Sequence, residues 1–162
     1  GRFRVHASGV MPGLGSYSQA NQRLDGRLMS VIASIPAIKA VSMGSGFDAD
    51  LIPGSNYHDP IIADAAAWGG VSRSSNNAGG VEGGLSNGRP VVVEAILKPI
   101  PTLRKGLPSL NLSDMSPTRS TYERSDVCVV EAAAVVGEAL VALELASAMC
   151  DRLSQVTLAE MK

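Results

Sequence analysis

Residues 124–153 read RSDVCVVEAAAVVGEALVALELASAMCDRL. Ala, Leu and Glu are strong helix formers, and the run from Val130 to Leu153 is apolar around most of its circumference. A helix apolar on every side must be covered on several of them, so this stretch predicts a central helix packed against a sheet or another subunit. Glu131, Glu138 and Glu144 interrupt it, and no uninterrupted apolar run of membrane-spanning length is expected. Working outward, PVVVEAILKPIP (90–101) is the strongest strand in the chain, ended by its prolines. Arg2 to Ala7 alternates like a strand, and Ile38 to Met43 forms a shorter one stopped by GSG. Between them Leu24, Leu28, Val31, Ile32 and Ile35 recur at helical spacing, predicting an amphipathic helix over 21–34 that Pro36 ends. Residues 48–74 hold no steady period and read as an irregular excursion with a turn of helix near Ala65. The polar stretch that runs to Glu123 has LNL (110–112) extended.

A chain of 162 residues suits one domain, 1–162, with a true core, and an aromatic share of 4% means that Val, Leu, Ile and Ala must build it. The net charge of −1 gives no nucleic-acid or membrane-surface footprint. Arg2/Arg4 and Arg23/Arg27 are the only dense cationic places, and they read as solvated surface. Cys128 and Cys150 lie far apart without CxxC or CxxH spacing, which excludes the usual zinc and thioredoxin patterns and fits a reducing cytoplasm. Each reads as a small buried apolar residue. His6 and His58 have no third metal-type neighbour at ligand spacing, so no metal site is expected. No signal peptide opens the chain, and GRFRVHASGV, strand-like and without methionine, is expected of a chain cut from something longer.

Three segments carry possible chemistry. SNNAGGVEGGLSNG (75–88) places five glycines in fourteen residues. Each ordered glycine costs about 0.5–1 kcal/mol relative to alanine, so the loop is either a flexible linker or backbone that must approach a ligand closely. In LKPIPT (97–102), prolines lock the turn after a strand, so Lys98 and the groups through Thr102 are held in place. In YERSDV (122–127), Arg124 and Asp126 stand just before the long helix. Ser125 or Asp126 would cap that helix, and a helix start beside an arginine also favours anions. Together these segments make a cradle for an anionic ligand. Other motifs carry less: VSMGSGFDA has dinucleotide-fingerprint spacing but LIPG breaks any long helix after it, and no GxxxxGK phosphate loop exists.

Taken in order, PGLGSY, RLD before a helix ending in MSxIxxIKxV, GSGF, NNAGGVEGGLSNG, LKPIPT and YERSDVCVVEAAAVVGEALVAL closely resemble the chorismate synthase family, through essentially the whole chain. The resemblance is to the C-terminal half only. It implies an α+β fold, half of a β-α-β sandwich with an antiparallel sheet on a largely apolar helical core. It further implies a cytoplasmic homotetramer that binds reduced FMN and converts 5-enolpyruvylshikimate 3-phosphate to chorismate. Carried over residue by residue, it places flavin contacts at Pro36 and Ala37, at Gly83, at Lys98, Pro99, Ile100, Pro101 and Thr102, and at Arg124. Asp126 matches the family's proton-handling aspartate. On this reading the 75–88 glycines let backbone close over the flavin and its substrate.

The chain also departs from the pattern. Pro36 stands where the family usually has Gln or Asn, which removes an amide side chain and a backbone N–H. The family's EIGDGF appears as SMGSGF, with Ser42 and Ser45 in place of carboxylates, and Glu131 stands where a proline often begins the helix. The family's catalytic histidines and much of its arginine clamp belong to the other half, so the chain alone is expected to be inactive and to need the missing N-terminal half as partner. The competing reading is a non-catalytic binding or assembly module that keeps the scaffold without the chemistry.

Overall fold

The computed structural model describes residues 1–154. Strand β1 (Arg2–Ala7) leads to helix α1 (Leu24–Ala33) and strand β2 (Ile38–Met43). An excursion follows, with a one-turn helix α2 (Gly54–Tyr57) and the hairpin β3 (Ile61–Ala63) and β4 (Val71–Arg73). The glycine loop contains a tight hairpin, β5 (Val81–Glu82) and β6 (Leu85–Ser86), before β7 (Val91–Leu97). An exposed ribbon, β8 (Pro108–Leu110) and β9 (Pro117–Arg119), precedes the long helix α3 (Val130–Leu153).

Strand β7 is the centre of a three-stranded sheet of order β1-β7-β2, antiparallel throughout, and the fold is α+β. Its register sets Phe3 and Val41 on either side of Ala95, and Val5 and Met43 on either side of Val93. Because strand side chains alternate in direction, this row is one apolar face, and α1 and α3 lie over it. Leu24, Leu28 and Ile32 recur on one side of α1 and are wholly buried. The helix starts later than its periodicity predicts because the Leu24 N–H donates to Gly84 O (2.9 Å).

The opposite sheet face carries Arg4 and Ser42 on either side of Glu94, whose side chain is 4% exposed. A buried carboxylate is tolerable only when paired. Arg2 brings a guanidinium nitrogen to 2.8 Å from Oε1, and Arg4 Nε donates to Oε2 at 2.9 Å.

Helix α3 meets β1 and α1 through Ala133, Gly137, Val141 and Ala148. Gly137 lets the helix approach closely, since a Cβ there would come to 2.8 Å from the Phe3 ring and force it to shift. Arg27 of α1 adds polar ties, pairing with Glu144, with Asp151 (2.9 Å) and with the Ser147 hydroxyl (3.0 Å). The expected coverage on several sides is not what the described residues provide. Val135 and Leu143 are each 67% exposed, and Val136 and Met149 lie open beside them. By length and mean hydropathy α3 is apolar enough to cross a membrane, although Glu131, Glu138 and Glu144 interrupt the run; here one side packs on the sheet and α1.

Other expectations also need correcting. The α-helical turn of the excursion falls at Gly54–Tyr57, while the stretch just after Ala65 has only a 3-10 turn, Trp68–Gly70, and the segment read as irregular contains a hairpin. The extended parts of the polar stretch are Pro108–Leu110 and Pro117–Arg119, with Leu112 outside both. Cys128 and Cys150 are exposed, because one precedes α3 and the other sits on its open side.

The glycine loop packs on its own chain. A Cβ on Gly44 would meet Asn77 O at 2.1 Å, and one on Gly80 would meet Pro90 O at 2.5 Å. Asp59 holds the loop, accepting from the Ser75 hydroxyl (2.6 Å) and from the N–H groups of Asn77 (2.8 Å) and Ala78 (2.9 Å). Burial pushes the Asp59 carboxyl up, but these three donors and the charge of Arg73 outweigh it and hold the group below its ordinary value of 3.8. A depressed folded-state pKa stabilises the fold above the unfolded value and loses that contribution as pH falls through the folded one. Asp59→Asn should therefore lower stability at pH 7 by about 1–3 kcal/mol and flatten the acid limb below about pH 4, read from urea midpoints across pH.

Candidate functional site

The sheet and helices converge on a hollow of about 620 Å³, within the usual range for small-molecule sites. Three connections build it: the turn from α1 into β2, the proline-locked exit from β7, and the segment ahead of α3. Pro36 and Ala37 come from the first; Lys98, Pro99, Ile100, Pro101 and Thr102 from the second; Arg124, Ser125, Asp126 and Val129 from the third.

Local chemistry explains the placement. Pro36 stops α1, and Ala37 then takes a left-handed conformation (φ 72°), which an L-residue adopts only under constraint. The constraint is visible: Lys98 N–H donates to Ala37 O at 2.9 Å, fastening the α1–β2 turn to the end of β7. Beyond Lys98, the two prolines fix φ and give the chain no N–H to spend on a ladder, so β7 cannot continue. Thr102 Oγ1 then shares a hydrogen bond with Ser125 Oγ.

Electrostatically the hollow is primed for an anion. Among the described residues, Lys98, Arg124 and Asp126 take part in no ion pair, although other basic side chains such as Arg4 and Arg27 are paired. Two unpaired cations and two hydroxyls therefore stand beside a wall of Pro36, Pro99, Ile100, Pro101 and Val129. With the Asp126 carboxylate beside them, such a site suits a ligand with an apolar body and negative charge.

The family model for chorismate synthase matches residues 1–150. The chain belongs to the chorismate synthase family. It is 48% identical over 161 residues to a chorismate synthase of Desulforudis audaxviator (strain MP104C), covering 99% of this chain and 41% of that protein. A chorismate synthase of Geobacter sulfurreducens is likewise 48% identical, over 167 residues. A solved structure described as "Crystal Structure of Chorismate Synthase" shares 41% identity at a TM-score of 0.76, covering 94% of this chain and 38% of that one. The chain thus spans about two fifths of the length of the curated chorismate synthases it matches.

The residues singled out from the sequence are brought together with one exception. Pro36, Ala37, Lys98 through Thr102, Arg124 and Asp126 line the hollow, whereas Gly83 does not. Gly83 sits exposed at the β5–β6 turn with a left-handed φ of 60°, and an added Cβ would find open space. The positive φ of that turn accounts for its glycine without a ligand. Neither Ser125 nor Asp126 caps α3; the cap position is Val129, and no side chain bonds there. Ser125 was visible in YERSDV but read only as a cap, and Val129 carried no signal beyond its apolarity.

If Ala37 is held left-handed by its neighbours, its side chain adds only strain. Ala37→Gly is expected to leave the denaturation midpoint unchanged or slightly raised, and Ala37→Val to lower stability by about 1–2 kcal/mol.

Proposed function

We propose that the chain supplies part of the cofactor and substrate pocket of a chorismate synthase, which with reduced FMN converts 5-enolpyruvylshikimate 3-phosphate to chorismate by eliminating phosphate. The observation that carries this reading is the convergence of unpaired Lys98 and Arg124 with Asp126 on one hollow, in a chain of this family. The residues present fit the flavin: the proline and isoleucine wall suits its ring system, and the cations and the hydroxyls of Thr102 and Ser125 suit its anionic groups. A reduced flavin held there by Lys98, Arg124, Thr102 and Ser125 would supply transient electron density for carbon–oxygen cleavage with no net redox change. Lys98 and Arg124 hold negative charge by charge-assisted hydrogen bonds, each worth about 1.5–3 kcal/mol. Asp126 accepts and returns a proton at a carboxylate oxygen. Pro36, Pro99, Ile100 and Pro101 exclude water from one side of the ring.

Two observations support a need for more chain. The matched chorismate synthases are more than twice as long, and α3 leaves Val135, Val136, Leu143 and Met149 uncovered. Burying side chains of that size fully is worth about 1.5–3 kcal/mol each. We infer that the N-terminal portion found in the relatives covers this face and supplies the remaining catalytic groups, in a cytoplasmic homotetramer. The chain by itself is inactive on this reading.

Co-expression of this chain with the N-terminal portion of the Desulforudis relative tests it. Flavin titration and turnover assays should show reduced FMN taken up and chorismate formed only by the pair. Association without flavin uptake would instead favour a non-catalytic assembly module, the reading that Pro36 and the serines at 42 and 45 support. In the active pair, Asp126→Asn should cut kcat by about 10²–10⁴-fold while leaving FMN affinity within about threefold, because the shape is kept and the proton traffic lost. Equal loss of both would reduce Asp126 to a structural residue.

A further inference from the structure

Residues 121–128 carry Arg124 and Asp126 but belong to no helix or strand, and every residue among them is exposed. Their ends are anchored, on one side by the β8–β9 ribbon and on the other by α3. In between, among the described residues, a single hydrogen bond leaves the segment: the one between Ser125 Oγ and Thr102 Oγ1. The other bond Ser125 makes is local, to Asp126 O. On the far side of the pair, Thr102 follows a backbone fixed by Pro99 and Pro101 and is half-buried.

We propose that Ser125 is a positioning residue: its hydroxyl, held by Thr102, keeps Arg124 and Asp126 at the mouth of the hollow. A rigid loop thereby orders a segment that has no ladder, cap or ion pair of its own. One hydroxyl–hydroxyl bond contributes about 1 kcal/mol net, enough to change the occupancy of the closed arrangement about fivefold. Its value for chemistry rests on the flavin-pocket reading above, but its existence does not.

Limited trypsin digestion with site-resolved mass spectrometry tests the tether without any flavin. Cleavage after Arg124 reports the segment, and cleavage after Arg119, whose guanidinium donates to Gly106 O at 3.2 Å, reports the ribbon. Thr102→Val, which leaves the cleavage site untouched, and Ser125→Ala should each speed cutting after Arg124 about fivefold. The double variant should be no faster than either single one, since both remove the same bond. Ser125→Thr should behave as the unaltered chain. Unchanged rates, additive effects in the double variant, or an equal rise after Arg119 would each overturn the tether. In the co-expressed pair, Ser125→Ala should weaken FMN binding and lower kcat, with Ser125→Thr restoring both. Failure of the unaltered pair to bind FMN would sink the pocket reading and leave the digestion result standing.

Discussion

Strand β7 is hydrogen-bonded along both edges and buried on both faces, and everything else takes its position from that. Seven consecutive residues, VVVEAIL, satisfy the requirement because only Glu94 is polar and two arginines cover it. A slip of one residue would turn Glu94 into the apolar face beneath α1 and α3 and put Val93 under the arginines, so the register is strongly specified. The strand also sets both ends of the neighbouring chemistry. Its start is stitched to the glycine loop, where Val92 N–H donates to Gly79 O at 3.0 Å and Gly44 N–H donates to Val92 O at 2.9 Å. Its end delivers Lys98 to the turn at Ala37.

How much of this was legible depended on whether local pattern and tertiary context agree. β1, β2, β7 and the extent of α3 could be read because alternation, β-branched residues and helix formers point the same way there. The hairpins β3–β4 and β8–β9 could not. Their strands are three residues long and wholly or largely exposed, so no hydrophobic alternation marks them. Asp59 gave no signal either, since its partners lie sixteen to nineteen residues away. The apolar circumference of α3 was read correctly as composition. Its packing against the sheet follows as expected, and the described residues cover the side marked by Ala133, Gly137, Val141 and Ala148.

The site shows the same division. Proline-locked geometry at Lys98 to Thr102 and the Arg124–Asp126 pair were apparent as motifs, and the structure gathers them with Pro36 and Ala37 round one hollow. Glycine is where motif and geometry part. Positive φ and backbone crowding explain Gly44, Gly79, Gly80 and Gly84 from within the chain. A glycine-rich stretch can thus be dense for reasons of self-packing, and the ligand reading of 75–88 draws no support from the position of Gly83. Ser125 illustrates the opposite case: its residue type is common at helix starts and suggests a cap, whereas its partner lies across the hollow on another loop.

The bare side of α3 also bears on how such a chain fares inside a living cell. Open valine, leucine and methionine side chains along a long helix, next to a sheet whose outer strands β1 and β2 pair on one side only among the described residues, form the kind of surface that associates with other chains when left uncovered. Covering that side of α3 therefore protects the fold from proteolysis and self-association as well as adding buried area.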